Sequence, residues 1–243
     1  MWRLKRGLSR FSHPISWNIS SDNIVQTGSS PEGPAILYGD PWLLVVLKPS
    51  GLLSQPGRGD HLQDSLITRL QRLGGDHHLV HRLDRDTSGV VLVARGLESL
   101  RRCSALFATR RVNKLYEAEV TGQLQSRGRI DSRLARLERD PPRYGDHPQG
   151  RPATTLWRVR ERRAESTTLW LRPLTGRSHQ LRAHLAGIGH PILGDPIYGE
   201  KRITSMRLHA RALGFQHPFT RGRVRVSTGQ NDDHPGAQFI RLT

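Results

Sequence analysis

The sequence predicts an α+β fold with a largely antiparallel mixed sheet as its core and helices flanking it. Three observations carry that prediction. Short apolar runs with the two-residue period of strands follow one another in hairpin order, three stretches have the 3.6-residue period of amphipathic helices, and Gly and Pro punctuate the boundaries. There is no internal repeat and no clear linker. A chain of 243 residues is long enough to bury one large core or two modest ones.

Residues 1–34 carry Arg3, Lys5, Arg6 and Arg10, no acid before Asp22, and a Ser/Gly/Pro cluster from Ser29 to Pro34. They read as a basic, flexible extension, either an arm that gathers RNA or, being Arg- and Ser-rich and poor in acid, an organellar transit peptide. The folded domain is expected over 35–227. Ile36 to Tyr38 and Trp42 to Leu47 form two strands around the turn Gly39-Asp40-Pro41. Leu62, Leu66, Leu70 and Leu73 mark a helix that stops at Gly74-Gly75. The polar stretch His81 to Gly89, HRLDRDTSG, leads into a strand at 90–94, and Leu97, Leu100, Cys103 and Phe107 mark a second helix with Arg101 and Arg102 on its outer face.

Tyr116, Ala118 and Val120 alternate with Leu115, Glu117 and Glu119 as a half-buried strand closed by Gly122. Ile130 to Leu137 forms another. Residues 138–152, ERDPPRYGDHPQGRP, are so rich in Pro, Gly and Arg that they read as an exposed basic loop. Two strands follow, on Thr155, Trp157 and Val159 and on Thr167, Leu169 and Leu171. A helix is expected over 178–188, strands near 208–215 and 224–226 complete the core, and 228–243 is a polar tail.

Charge narrows the partners. Thirty-eight Lys and Arg stand against twenty-one Asp and Glu, a formal net charge of +17, and nearly all the cations are Arg. The planar guanidinium suits phosphate and base stacking, so the expected partner is nucleic acid rather than a membrane. No apolar run is long enough to span a bilayer or to serve as a signal-peptide core. The lone Cys103 excludes an internal disulfide and fits a reducing compartment, the cytoplasm being expected. Twelve histidines invite a metal, yet His77, His78 and His81 lack a Cys partner, His179 and His184 stand five apart, and no HExxH pattern occurs.

Two polar concentrations remain as candidate chemistry. Asp84 and Asp86 in HRLDRDTSG read either as an acid and base pair or as a salt-bridged turn with Arg82 and Arg85. In Thr175 to Arg182, TGRSHQLR, Arg177 precedes a helix, where it is either an ordinary basic cap residue or, beside an aspartate, a group that would keep that carboxylate ionised.

Four separated stretches, KPSGLLSQPG at 48–57, HRLDRDTSG at 81–89, RPLTGRSHQLRAHLAGIGHPILGDPIYG at 172–199 and RLHARALGFQHP at 207–218, together resemble a pseudouridine synthase of the RluA type. The chain is similar to the short members without an N-terminal S4 domain. The resemblance implies the pseudouridine synthase fold with its catalytic cleft, and isomerisation of uridines in structured ribosomal or transfer RNA without metal, nucleotide or other cofactor. It places the catalytic carboxylate on Asp84, as nucleophile or as base, its arginine partner on Arg177, the tyrosine that stacks on uracil on Tyr116, and the guanidinium that fills the space of the flipped base on Arg82. A core tyrosine is the plainer reading of Tyr116, and a structural histidine that of His81. Asp86 is left a local hydrogen-bonding role. Arg101, Arg102, Arg143, Arg151 and Arg182 are candidate phosphate contacts. A monomer with no obligate protein partner is expected. Two other readings compete: a basic RNA-binding or ribosome-assembly protein with little turnover, and a nucleoside or glycoside hydrolase using the same carboxylate.

Overall fold

The computed structural model describes residues 3–4, 33–199 and 205–229. In chain order its elements are β1 (Arg3–Leu4), β2 (Ile36–Gly39), β3 (Leu43–Lys48), α1 (Leu66–Arg72), β4 (His77–Leu79), β5 (Ser88–Arg95), α2 (Leu97–Ala108), β6 (Asn113–Thr121), β7 (Arg127–Arg139), β8 (Pro142–Asp146), β9 (Arg151–Arg162), β10 (Ser166–Pro173), α3 (Gln180–Gly187), β11 (Leu208–Gln216) and β12 (Arg223–Ser227). Two compact units share them, one built on residues 33–114 and 210–229, the other on Leu115–His209.

In the first unit β5 lies between β3 and β11, β2 pairs with β3, β4 with β5 and β12 with β11. Leu43 to Val46 and Val90 to Ala94 are all buried, which is why these two segments read as continuous apolar runs rather than alternating ones. Gly89, the second residue of β5, has φ +122, and a Cβ there would overlap the backbone of Ala210, so both the conformation and the close approach of β11 require glycine. Helix α1 starts four residues later than the leucine spacing predicts, because Ser65 caps it in a reciprocal box with Thr68. Leu62 stands in a short 3-10 turn and Leu73 is exposed. The strand β4 escapes a periodicity reading because three residues hold no period.

In the second unit the antiparallel order is β1-β7-β9-β10-β6, with β8 on the other side of β7's C-terminal half. Ala118, Val120, Ile130, Trp157, Leu169 and Leu171 form one face, and Leu181 and Leu185 of α3 pack on it. Each of those strand residues contributes by the alternation that the sequence displays. Within the expected flexible extension, Arg3–Leu4 is a strand paired to Asp131 and Ile130, while 1–2 and 5–32 lie outside the described residues, as do 230–243 of the expected tail.

Residues 138–152 are not the loop their composition predicts. Pro142–Asp146 pairs with β7 in the register Arg136↔Tyr144 and Leu134↔Asp146, making a hairpin. Tyr144 packs on the cluster of Leu134, Ala153 and Ala183, and the Tyr198 hydroxyl accepts the Tyr144 N–H at 2.7 Å. A strand held by one partner strand and one half-buried ring shows no alternation, and Pro142 at its first position needs no ladder donor. Helix α3 is also shorter than predicted, since His179 takes a left-handed conformation (φ 51) and the helix begins only at Gln180.

Candidate active site

The loop from His81 to Thr87 is held from below. Leu83 is buried, and the buried Ser54 hydroxyl both donates to its carbonyl at 2.7 Å and accepts its N–H at 3.1 Å. Arg82 and Asp84, on either side of Leu83, are exposed and half-buried. Thr87 N–H closes a turn on Asp84 C=O at 3.1 Å, and Gly51 N–H reaches Arg85 C=O at 2.9 Å. Lys48, with no exposed surface, sends its ammonium to three carbonyls, Leu52 at 2.6 Å, Arg85 at 2.8 Å and Pro49 at 2.9 Å. Burial pushes its pKa down to about 8, against the pull of the Asp86 and Asp84 carboxylates nearby. A carboxylate on a braced loop within the field of a buried cation suits a nucleophile or a base.

Two neighbours are engaged locally and a third is not. Half-buried His81 accepts the Leu92 N–H on Nε2 at 3.0 Å and stacks on Phe107, while loss of solvent and then the Lys114 charge push its pKa down to about 3. It is a neutral imidazole committed to β5. Asp86 meets Arg85 at 3.3 Å, a local contact. Arg82 forms no hydrogen bond or ion pair among the described residues, which leaves its guanidinium available to a ligand.

In the second unit, Tyr116 lies opposite Leu171 and packs, half-buried, on the main cluster. Arg177 is half-buried in the turn before α3, its Nε donating to Pro152 C=O at 3.1 Å and its backbone N–H to Gln180 Oε1 at 3.0 Å. Two residues on, His179 lies in the left-handed region at φ 51, a conformation that costs about 1–2 kcal/mol. It is held by Tyr198 hydroxyl at 3.1 Å from Nδ1 and by the edge of Tyr144. Among the described residues no group of three His, Cys, Asp or Glu gathers to hold a metal ion.

The basic candidates separate by burial. Arg182 is no phosphate contact: it is 3% exposed and doubly bonded to Asp195, Nε to Oδ2 at 2.7 Å and Nη2 to Oδ1 at 2.8 Å. A buried bidentate pair commits both charges to each other. Asp195 Oδ1 also accepts Ile197 N–H at 2.9 Å and Tyr198 N–H at 3.1 Å, so the pair shapes the loop after α3. Arg101 and Arg102 are solvent-facing and share Glu98, and Arg102 also lies 4.5 Å over Phe219. Arg143 is exposed beside Glu138 and 5.7 Å from the Tyr198 ring centre, and Arg151 is exposed at the start of β9. Exposed pairs of this kind exchange readily for phosphate.

Ser54, Lys48, Gln180 and Asp195 carry the local architecture and were not singled out by spacing or charge. Their signal is membership of the quoted stretches, Gln180 within the polar run TGRSHQLR.

A model of the RNA pseudouridylate synthase family matches residues 42–187, a span that holds Arg82, Asp84, Tyr116 and Arg177. The chain is 41% identical over 197 residues to the dual-specificity RNA pseudouridine synthase RluA of Escherichia coli (strain K12), covering 77% of this chain and 90% of that one. It is 36% identical over 231 residues to the ribosomal large subunit pseudouridine synthase D of Xanthomonas campestris pv. campestris, covering 86% and 70%. Among solved structures it is similar to human RNA pseudouridylate synthase domain containing 1, with a TM-score of 0.72 at 27% identity over 89% of this chain and 98% of that one.

Proposed function

The chain belongs to the RNA pseudouridylate synthase family, and on that premise we propose that it isomerises uridines of ribosomal or transfer RNA with Asp84 as the reacting carboxylate. The N1 to C1′ bond of the uridine breaks, the uracil turns, C5 bonds to C1′, the C5 proton leaves to solvent, and N1 takes up a proton in its place. Asp84 serves as nucleophile at C1′ or as base at C2′. Arg177 is the arginine that keeps the carboxylate ionised, Tyr116 stacks on the uracil, and Arg82 occupies the space of the extruded base, recovering part of the few kcal/mol that flipping costs. Arg101, Arg102, Arg143 and Arg151 meet phosphates. A cytoplasmic monomer is the matching setting.

The observation that carries this reading is the clamp of Ser54 on Leu83. It fixes the backbone between the free guanidinium of Arg82 and the carboxylate of Asp84, inside the stretch that matches the family. The test is tritium release to water from ribosomal and transfer RNA labelled at uridine C5. Release by the wild type and none by Asp84→Ala is expected. Binding without release points to an RNA-binding protein, release of free uracil to a hydrolase, and persistent release by Asp84→Ala removes Asp84 from the reaction.

A further inference from the structure

We propose that Gln180 is a positioning residue for Arg177, acting through a buried carboxamide whose four hydrogen-bonding positions are all filled. Oε1 accepts from the Thr175 hydroxyl at 2.7 Å and from the Arg177 N–H at 3.0 Å, while Nε2 donates to Thr154 C=O at 2.9 Å and Thr155 Oγ1 at 3.0 Å. An amide offers two acceptor and two donor positions, and none is spare. Its orientation follows from its partners: turned over, the NH2 would face the Arg177 N–H and the oxygen the Thr154 carbonyl. Gln180 is 4% exposed. It therefore joins three segments, β9 through Thr154 and Thr155, the turn through Thr175 and Arg177, and α3, of which it is the first residue.

The brace extends inward. Thr154 N–H reaches Thr175 Oγ1 at 3.0 Å, which directs the Thr175 proton onto Gln180. Thr155 Oγ1 lies 2.9 Å from His184 Nδ1, and His184 Nε2 lies 3.1 Å from Ser132 Oγ, so the amide is tied to β7 as well. With Gln180 N–H on Arg177 C=O at 3.1 Å, both backbone groups of Arg177 end on this one residue. A helix that starts after a left-handed His179 has no side-chain cap. The carboxamide supplies the missing fixation of the turn from inside the helix, and buried networks satisfied in full hold a single geometry.

This inference rests on the role given to Arg177 above. It is tested in the full chain by tritium release under steady-state conditions. Gln180→Met lowers kcat about 10- to 100-fold with the KM for RNA within about 3-fold, the scale of a misplaced reacting group. Thr175→Val lowers kcat in the same direction, and Thr175→Ser, which keeps the hydroxyl, restores most of the loss. In an Arg177→Ala background Gln180→Met costs less than about 3-fold more, because both changes remove one interaction. Wild-type kcat in folded Gln180→Met, or losses that multiply in the double variant, overturns the proposal while leaving Arg177 in place. Full activity of Arg177→Ala overturns the role of Arg177 and this inference together. Should Gln180→Met not fold, the Thr175 pair decides: equal rates for Val and Ser overturn it.

Discussion

Ser54 Oγ closes on both backbone polar groups of Leu83, 2.7 Å to its carbonyl and 3.1 Å to its N–H, so that one hydroxyl fixes the peptide between Arg82 and Asp84. Ser54→Ala leaves two buried backbone groups unsatisfied. A loss of about 1–3 kcal/mol is expected in urea unfolding, together with slower tritium release at unchanged RNA affinity. A variant as active and as stable as the wild type would show that the loop needs no such clamp.

Gly89→Ala places a Cβ against the Ala210 backbone at a φ of +122. The cost should exceed about 2 kcal/mol, since strain and overlap coincide. Thermal unfolding measures it.

Arg182→Met leaves the Asp195 carboxylate buried without its cation, a loss of about 3–5 kcal/mol in unfolding. Its phosphate counterpart behaves in the opposite way. Arg101→Ala should leave stability within about 0.5 kcal/mol, yet lower the slope of log affinity for RNA against log salt by about 0.7–0.9. Arg182→Met, measured well below its melting temperature, should leave that slope unchanged.

His184 is buried between Ser132 and Thr155, and burial pushes its pKa from 6.5 down to about 4, against the pull of Asp131 and Asp146. Below pH 6.5 the unfolded chain takes up a proton that the folded chain refuses until about pH 4. The stability this neutral imidazole confers is thus whole above pH 6.5 and falls as pH drops toward 4. His184→Gln should reduce the slope of stability against pH in that window by up to about 1.4 kcal/mol per pH unit. Identical slopes would place the proton uptake elsewhere.

Much of the fold is legible in the residues alone, because it is set by local period. Val90 to Ala94 announces a buried strand, Leu97 to Phe107 an amphipathic helix, and Tyr116 to Val120 a half-buried strand, and each is found where expected. The α+β class with its antiparallel pairing follows from the same signals. The strand at Pro142–Asp146 was not legible, since what makes it a strand is pairing to β7 and a ring packed on residues as distant as Ala183. No composition of Pro, Gly and Arg records those partners.

The candidate chemistry divides in the same way. The sequence determined that HRLDRDTSG and TGRSHQLR concentrate polar groups beside apolar segments and that the chain is built for a polyanion, because charge and motif are properties of residue order. Only the tertiary structure decided what each group is free to do. Arg101 and Arg182 are the same residue type on helical segments, yet one faces solvent and the other closes on Asp195 in the interior. A guanidinium is worth the same in a composition wherever it lies; its chemistry depends on whether water or a buried carboxylate surrounds it, and only the folded chain sets that.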